Sequence, residues 1–517
     1  MPTERTTIAG AFLASARAHP DTLAVVFEDE RATYAELERR SARLAESLIE
    51  IGVEQRARVG YFMHNSVDLV ATLLAIARVG AAAVPVNTRL RGAELRNVLG
   101  GNRIAALLTH NAFDVEQKSL AARLDECDAA AVSAIYDIEA MRGGSQAASA
   151  EVRQRQWESR VRDIAIVLPT SGTTSVPKGC LLTNEAFVGP GLEMARVRFL
   201  LQPGERLWDP LPLFHLGGLT PLVACLSGAA TWVGMRYFTP EQAIRQLVDE
   251  RCVVAYSVFE TLWLPVVDHP DFDQAALGLR EVHAVGPYER LAHYQRTHPR
   301  AAITSSYGTS EGAPASYTTP DEPLAARLHT VGRPAPGTRL RIVDPETGAD
   351  AAPTQSGEIV YRGWQLFEGH MVDGEVSMSM FDDQGWLHSG DGGFLDTEGY
   401  LHYTGRIKDM LKVGGENVAA AEIEVLLMGL PGVAMVHVVG VPDAKYSEVP
   451  VAFVEQAAGS ALTEAQVIEW CQGRIAGFKV PRHVRFVRPG NWPMSATKVQ
   501  KAMLRAQIAA ELQAVTR

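Results

Sequence analysis

The chain has 517 residues, 47% of them apolar and 21% charged, with a formal net charge of −11. That length exceeds one ordinary domain and predicts at least two, with enough apolar content for large cores. The negative balance argues against a nucleic-acid binder held by a basic surface, but leaves open small anionic ligands gathered by a local cationic cluster.

In chain order, residues 33–50 carry a helical period: Thr33 as N-cap, then Leu37, Ala42, Leu44 and Leu48 with charges between. A strand is expected at 59–63, a helix at 67–79 and a strand at 82–86, a β-α-β alternation that predicts a partly parallel sheet. The apolar stretch 67–86 is interrupted by Asp68 and Arg78, so it reads as buried helix and strand rather than a membrane span. The polar N-terminus has no signal-peptide core. Residues 140–160 show no apolar period and read as a surface excursion. A strand at 164–168 follows, and α/β alternation continues to about residue 320. From Gly332 to Tyr403 turn signals separate short strands, predicting a β-rich subdomain. Beyond a boundary near 406–412, strands at 433–441 and 450–454 and helices at 420–428, 463–475 and 498–512 predict a compact α+β domain. The division is 1–405, a hinge at 406–412, and 413–517. Cys127, Cys180, Cys225, Cys252 and Cys471 are scattered without metal-site spacing, which fits a reducing cytoplasm with neither structural zinc nor disulfides.

The run from Thr170 to Gly179, TSGTTSVPKG, follows the strand at 164–168 and holds four hydroxyl residues before Ser175, two glycines and Lys178. Hydroxyls, backbone N–H groups and a cation in one short loop suit a polyphosphate. It is not the common P-loop, because Lys178 precedes Gly179 instead of following the second glycine. Downstream come Tyr307-Gly308-Thr309-Ser310-Glu311, then Gly390-Asp391 with Asp396, Gly399 and Tyr400, then Gly405-Arg406 with Lys408, Gly414-Gly415, and a closing PMSATK run ending at Lys498.

Together these motifs resemble, over nearly the whole chain, the adenylate-forming superfamily of acyl-CoA synthetases, luciferases and peptide-synthetase adenylation domains. The resemblance implies a large α/β N-terminal domain with a β-rich subdomain and a small mobile C-terminal α+β domain. It implies two half-reactions. A carboxylate attacks the α-phosphorus of ATP to give an acyl-adenylate and pyrophosphate; a thiol, usually of coenzyme A, then takes the acyl group and releases AMP. By the same resemblance, Thr170, Ser171, Gly172, Thr173, Thr174 and Lys178 hold the phosphates, and Tyr307 stacks on adenine. Gly308 and Thr309 belong to that segment, Ser310 meets the α-phosphate, and Glu311 ligates Mg²⁺. Asp391 takes the ribose hydroxyls, with Tyr403 and Arg406 flanking the nucleoside. His215 gates the thiol tunnel, Gly414 and Gly415 line it, Lys408 is the hinge, and Lys498 bridges carboxylate and α-phosphate, with Lys501 a weaker candidate on the same helix. Gly217, Ser257, Gly286 and Ala313 mark the acyl pocket.

The chain departs from that family pattern in two places. The closing motif lacks the glycine that usually precedes its lysine, since Thr497 is followed directly by Lys498. The segment 284–290 keeps only Gly286 of a usual glycine-rich run. The candidate lining segments 216–220, 257–263, 286–288 and 313–317 contain neither lysine nor arginine, which predicts an apolar acid, with room for a bulky or cyclic one. Glu260 is the one group there that could face a cation. The leading expectation is a full acid–CoA ligase. The missing glycine motivates an enzyme that performs only the thioester half from a pre-formed acyl-adenylate, and an inactive nucleotide-binding regulator is a third reading. A carrier-protein acceptor and a luciferase-like oxygenase stand behind these. No membrane or nucleic-acid partner is expected; a homodimer is compatible with the sequence.

Overall fold

The computed structural model describes the chain except residues 1–6, 91, 111–119, 128–131, 133, 142–146, 171–177, 373, 408–409, 414–415, 444–445, 496–497 and 516–517. Among the described residues, two large sheets form the frame of the N-terminal part. One runs in the order Ala302–Thr304, Glu281–Ala284, Val254–Val258, Arg206–Asp209, Thr231–Gly234, Leu23–Val26, Arg31–Thr33. The other runs Glu375–Ser377, His370–Val372, Lys178–Thr183, Ile164–Thr170, Ala82–Pro85, Arg58–Met63, Ala106–His110, Ile135–Asp137.

Local chemistry explains the first elements. Helix Tyr34–Glu50 starts at a reciprocal cap, the Thr33 hydroxyl accepting from the Glu36 N–H while the Glu36 carboxylate accepts from the Thr33 N–H. It buries Leu37, Ala42, Leu44 and Leu48, the face its spacing predicts. Strand Arg58–Met63, helix Val67–Arg78 and strand Ala82–Pro85 form the expected parallel unit, Val59 lying opposite Ala83. Helix Leu216–Gly228 buries most of its surface in the main core, packed against helix Asn184–Glu193. An exposed helix could not carry so many apolar residues without an amphipathic pattern, and this one has none to show because it is enclosed on several sides.

The β-rich expectation corresponds to an antiparallel sheet of Arg339–Val343, Gly357–Arg362, Leu387–Leu395 and Leu401–Arg406. The C-terminal part is a sheet of Met410–Val413, Glu416–Ala419, Val433–Asp443, Ser447–Gln456 and His483–Val487, with helices on both faces. Ile423, Leu427 and Val467 pack on one side; Leu504 and Ile508, one helical turn apart, pack on the other.

Three local expectations differ from the structure. Residues 140–160 include a helix, Ala150–Glu158, capped by the Ser149 hydroxyl; it buries only Val152, so it leaves no apolar period in the sequence. The helix expected to 475 ends at Cys471, ahead of Gly473 at φ +71°. Lys498 is not helical. Lys498–Val499 pairs antiparallel with Met494–Ser495, and the last helix begins at Lys501, so Lys498 and Lys501 do not share an element.

Candidate active site

Strands Ile164–Thr170 and Lys178–Thr183 pair antiparallel, Thr170 opposite Lys178, and the Thr170 hydroxyl donates to the Lys178 carbonyl at 3.2 Å. They bring together the two ends of the hydroxyl-rich loop. Ser171, Gly172, Thr173 and Thr174 lie outside the described residues. The strand leaving the loop also meets the second motif. The Cys180 thiol reaches the Ser310 carbonyl at 3.2 Å, and His370–Val372 pairs along the same strand, His370 opposite Cys180. The His370 Nε2 lies 3.1 Å from a Glu311 carboxylate oxygen. Burial raises the Glu311 carboxyl, but hydrogen bonds from His370 and Thr309 outweigh it and hold the group below the usual glutamate range. Thr309 is fixed by the Tyr361 hydroxyl at 2.9 Å. Gly308 has no room for a side chain, since a Cβ there would stand 2.8 Å from that of Ala313.

Tyr307, Asp391, Tyr403 and Arg406 converge. Strands Leu387–Leu395 and Leu401–Arg406 form a hairpin in which Asp391 is paired with Arg406. Asp396 closes its turn by accepting from the Glu398 and Tyr400 N–H groups, and Gly399 supplies φ +83°. That turn is why the spacing from Asp391 to Arg406 brings the two residues side by side. The Asp391 carboxylate accepts from the Tyr307 hydroxyl at 2.7 Å and lies 2.8 Å from the Arg406 Nε. The rings of Tyr307 and Tyr403 stack with centroids 5.7 Å apart. Burial, then the neighbouring Tyr361 and Asp391, push the Tyr307 phenol well above its ordinary value, so its proton stays in the bond to Asp391.

His215 caps the start of helix Leu216–Gly228, its carbonyl accepting from Gly218 and Leu219, with its ring edge-on to Phe214. Gly217 sits on the first turn, where a Cβ would press on Leu211 at 3.0 Å. Ser257 is buried and donates to the His283 carbonyl at 3.0 Å, tying two parallel strands at their carboxyl ends beneath residues 285–287. Next to it Val258 holds φ +56°, an unusual conformation for a β-branched residue and one found at functional sites. A Cβ at Gly286 would make only ordinary contact, with the Arg290 side chain at 3.8 Å. Ala313 packs on Gly308.

Glu260 is paired with Arg290 at 3.2 Å, and Arg290 also donates to the Ala434 carbonyl of the C-terminal part at 3.0 Å. The cation for Glu260 is therefore the protein's own. Lys501 pairs with Glu424 at 2.6 Å. Lys408, Gly414 and Gly415 lie outside the described residues, and of Lys498 only the backbone is described. Sequence reasoning missed His370, Arg290 and a buried Arg198 that touches His283. Each is a single charged or titratable residue within an otherwise ordinary segment, and no local pattern marks it.

Among the described residues no group of three or more His, Cys, Asp or Glu side chains is placed to hold a metal, and no helix is long and apolar enough to cross a membrane. Glu311 alone still fits Mg²⁺, which binds through one or two carboxylates and completes its shell with phosphate and water.

Residues 12–371 match the AMP-binding enzyme family and 422–497 the AMP-binding enzyme C-terminal domain. An indoleacetate–CoA ligase of Aromatoleum aromaticum is 33% identical, across 90% of this chain and 92% of its own. A feruloyl-CoA synthase of an Amycolatopsis species is 32% identical, across 91% and 93%. The crystal structure of ATP-bound MatB from Rhodopseudomonas palustris superimposes with a TM-score of 0.85 at 27% identity, covering 97% of this chain and 99% of that one. The chain is a member of the AMP-binding enzyme family, the adenylate-forming enzymes to which these CoA ligases belong.

Proposed function

We propose that this chain is an AMP-forming acid–CoA ligase acting on an apolar carboxylic acid of bulky or cyclic shape. The observation that carries the reading is the convergence of Tyr307 and Arg406 on Asp391, with Glu311 held nearby in sequence by His370 beside the strand that leaves the Thr170–Lys178 loop. In the first half-reaction the acid's carboxylate displaces pyrophosphate from ATP; in the second the thiol of coenzyme A displaces AMP. Asp391 offers acceptors for the ribose, Tyr307 and Tyr403 offer ring faces for adenine, and Lys178 with the hydroxyls of 170–174 serves the phosphates. Glu311 would hold Mg²⁺, which spreads the charge of the phosphates when bound. Lys498 is the cation for the first half. His215, Gly414 and Gly415 form the thiol path for the second, with residues 413–517 turning about Lys408 relative to 1–405. Gly217, Ser257, Gly286 and Ala313 line the acyl side. The aromatic acids in the names of two relatives support an acid with a planar or cyclic body. Cys180, Cys225, Cys252 and Cys471 are buried free thiols, in keeping with a cytoplasmic enzyme.

The test is pyrophosphate release from ATP and Mg²⁺ across a panel of acids, with acyl-CoA and AMP measured beside it. Formation of all three with any acid supports the ligase; rapid binding of AMP with no turnover of any acid or acyl-adenylate would leave only a nucleotide-binding regulator.

One observation favours a second reading, in which only the thioester half survives. Ser495 and Lys498 pair across a two-residue connection, so the lysine backbone is tied beside Ser495 where relatives of the usual pattern carry one more residue, a glycine. One residue less shortens reach by up to ~3.5 Å, and a displacement of about 1 Å can cost ~10²-fold in rate. Insertion of Gly between Thr497 and Lys498 separates the readings. A rise of pyrophosphate release from nothing supports the thioester-only enzyme, whereas a native rate already matched to thioester formation excludes it.

A further inference from the structure

The parallel strands Val254–Val258, Glu281–Ala284 and Ala302–Thr304 end together at the edge where Ser257, residues 285–287 and Tyr307 gather. In open parallel sheets ligands bind at that carboxyl edge. Immediately beneath it is a buried cation that neither half-reaction uses. Helix Asn184–Glu193 runs on into a π-helical turn, Met194–Arg198, and the turn delivers Arg198 into the interior with 2% of its surface exposed. π-turns of this kind recur at functional sites.

The surroundings of Arg198 leave its charge unmatched. Its Nη2 donates to the His283 Nδ1 at 2.7 Å, and its guanidinium lies 4.9 Å and 5.0 Å from the ring centroids of Phe199 and Tyr317. Its Nε and Nη1 hydrogens meet no acceptor. Glu193 and Glu281 are near enough to feel the charge, yet neither forms an ion pair with it; Glu193 accepts from the Tyr317 hydroxyl and Glu281 from Thr304. A buried guanidinium with unfilled donors is costly unless something completes it. Because His283 Nδ1 accepts from Arg198, the ring proton sits on Nε2, 3.2 Å from the Ser306 hydroxyl oxygen. The Thr304 carbonyl also takes part in holding that proton, and Ser306, as a further acceptor for it, keeps its own hydrogen to donate elsewhere. Ser306 is the partly exposed end of the chain and the residue before Tyr307. A polar relay thus runs from a buried cation to the lining of the acyl side.

We infer that Arg198, His283 and Ser306 form the polar end of the acyl site, and that the acid this chain activates carries an oxygen acceptor, a ketone or a second carboxylate, remote from its reacting carboxylate. The inference rests on the ligase reading and narrows its substrate class: the apolar lining covers the body of the acid, and the relay reads its far end. Arg198 acts here as a specificity-determining residue and takes no part in bond making.

The experiment compares three 3-phenylpropanoic acids bearing isopropyl, acetyl or carboxyl at the ring position opposite the chain, measured by pyrophosphate release and thioester formation with the wild type, Arg198→Met and Ser306→Ala. The isopropyl acid matches the other two in size but offers no acceptor. Expected is a kcat/KM about 3- to 10-fold higher for the acetyl or the carboxyl acid than for the isopropyl acid, the worth of a hydrogen bond from the neutral Ser306 hydroxyl. Which of the two leads tells ketone from carboxylate. Ser306→Ala should bring that ratio close to one, and Arg198→Met, which acts through His283, should lower it. Equal or better use of the isopropyl acid by the wild type overturns the inference even if Arg198→Met does not fold, and so does an unchanged ratio in a folded Arg198→Met. In those outcomes acids still react and the ligase reading stands. Absence of pyrophosphate and thioester with every acid removes the ligase reading and this inference with it.

Discussion

Replacing Asp391 by Ala tests the residue that joins the two halves of the nucleotide block. Its carboxylate is 2% exposed and serves the Tyr307 hydroxyl and the Arg406 guanidinium. Truncation takes the carboxylate acceptor from the buried phenol and leaves it only the Ser389 hydroxyl, at about 1–3 kcal/mol. Arg406 has 43% of its side chain in solvent and recovers hydration there, so its lost pair adds only about 1 kcal/mol. The sum is about 2–4 kcal/mol. Tyr307→Phe removes one donor, leaves Asp391 paired to Arg406, and should cost about 1 kcal/mol. In the double variant no phenol remains to lose that acceptor, so its cost should fall short of the sum of the singles by about 1–2 kcal/mol. Denaturant unfolding of the N-terminal part by tryptophan fluorescence measures all three, repeated with AMP. At a hundred times its dissociation constant AMP should add about 2.7 kcal/mol to the wild type and little to Asp391→Ala. Strict additivity of the two substitutions, or an Asp391→Ala protein within about 0.5 kcal/mol of wild type, would refute the reasoning.

Three further substitutions address separate parts of the site. Glu311→Gln should cut pyrophosphate release by ~10²–10³ while leaving thioester formation from a synthetic acyl-adenylate within about tenfold, and equal losses in both would remove Glu311 from the phosphate step. Glu281, fully buried, has its carboxyl raised by burial to about 7, against 4.5 in the free chain. The unfolded chain therefore loses this proton first, so the folded state loses stability as pH rises from about 4.5 to about 7, by at most ~3 kcal/mol. Glu281→Gln should remove that decline, so its stability relative to wild type should grow with pH; a difference constant with pH in chemical denaturation would count against it. Gly332, at φ +85°, would drive a Cβ to 1.9 Å from the Tyr317 carbonyl group, so Gly332→Ala should cost about 3 kcal/mol or more and a near-neutral value would contradict the packing.

How much of this was legible in the sequence follows from how local each determinant is. Helix Tyr34–Glu50 could be read because its cap and its apolar face lie within one short window. The Asp391–Arg406 pair could be anticipated because a hairpin turns sequence spacing directly into adjacency. Helix Ala150–Glu158 could not, since one buried valine makes no period. In the sequence Lys498 reads as part of the last helix, because a helical apolar pattern does not reveal where strand pairing with Met494–Ser495 gives way to it. Arg198 was the deepest omission. Its sequence context reads as the charged face of a helix, and its burial is decided by His283, 85 residues away, and by Tyr317 on another sheet. The candidate acyl lining reads as apolar in the sequence because Arg198 and Ser306 stand outside the segments that the family pattern marks.

Under the proposed ligase reading, the same distribution of contacts would let two substrates and a second domain share one site. On the nucleotide side, Arg406 ends the last strand of the β-rich sheet, so the residue that meets Asp391 is also where the chain leaves for the C-terminal part. On the acyl side, Arg290 bonds Glu260 within the pocket wall and the Ala434 carbonyl across the domain junction. Burial raises the Glu260 carboxyl while the Arg290 charge opposes it, so moving Arg290 away would leave a buried carboxylate less well matched. A rotation of the C-terminal part that breaks the Ala434 bond alone leaves Glu260 its partner and costs one hydrogen bond, about 1 kcal/mol, a size that ligands can supply. The Arg290–Ala434 contact is thus weak enough to exchange, and it is anchored on a residue whose other bond lies at the proposed acyl side. The proposed turning of residues 413–517, which presents one set of residues to a carboxylate and another to a thiol, requires a junction of that kind.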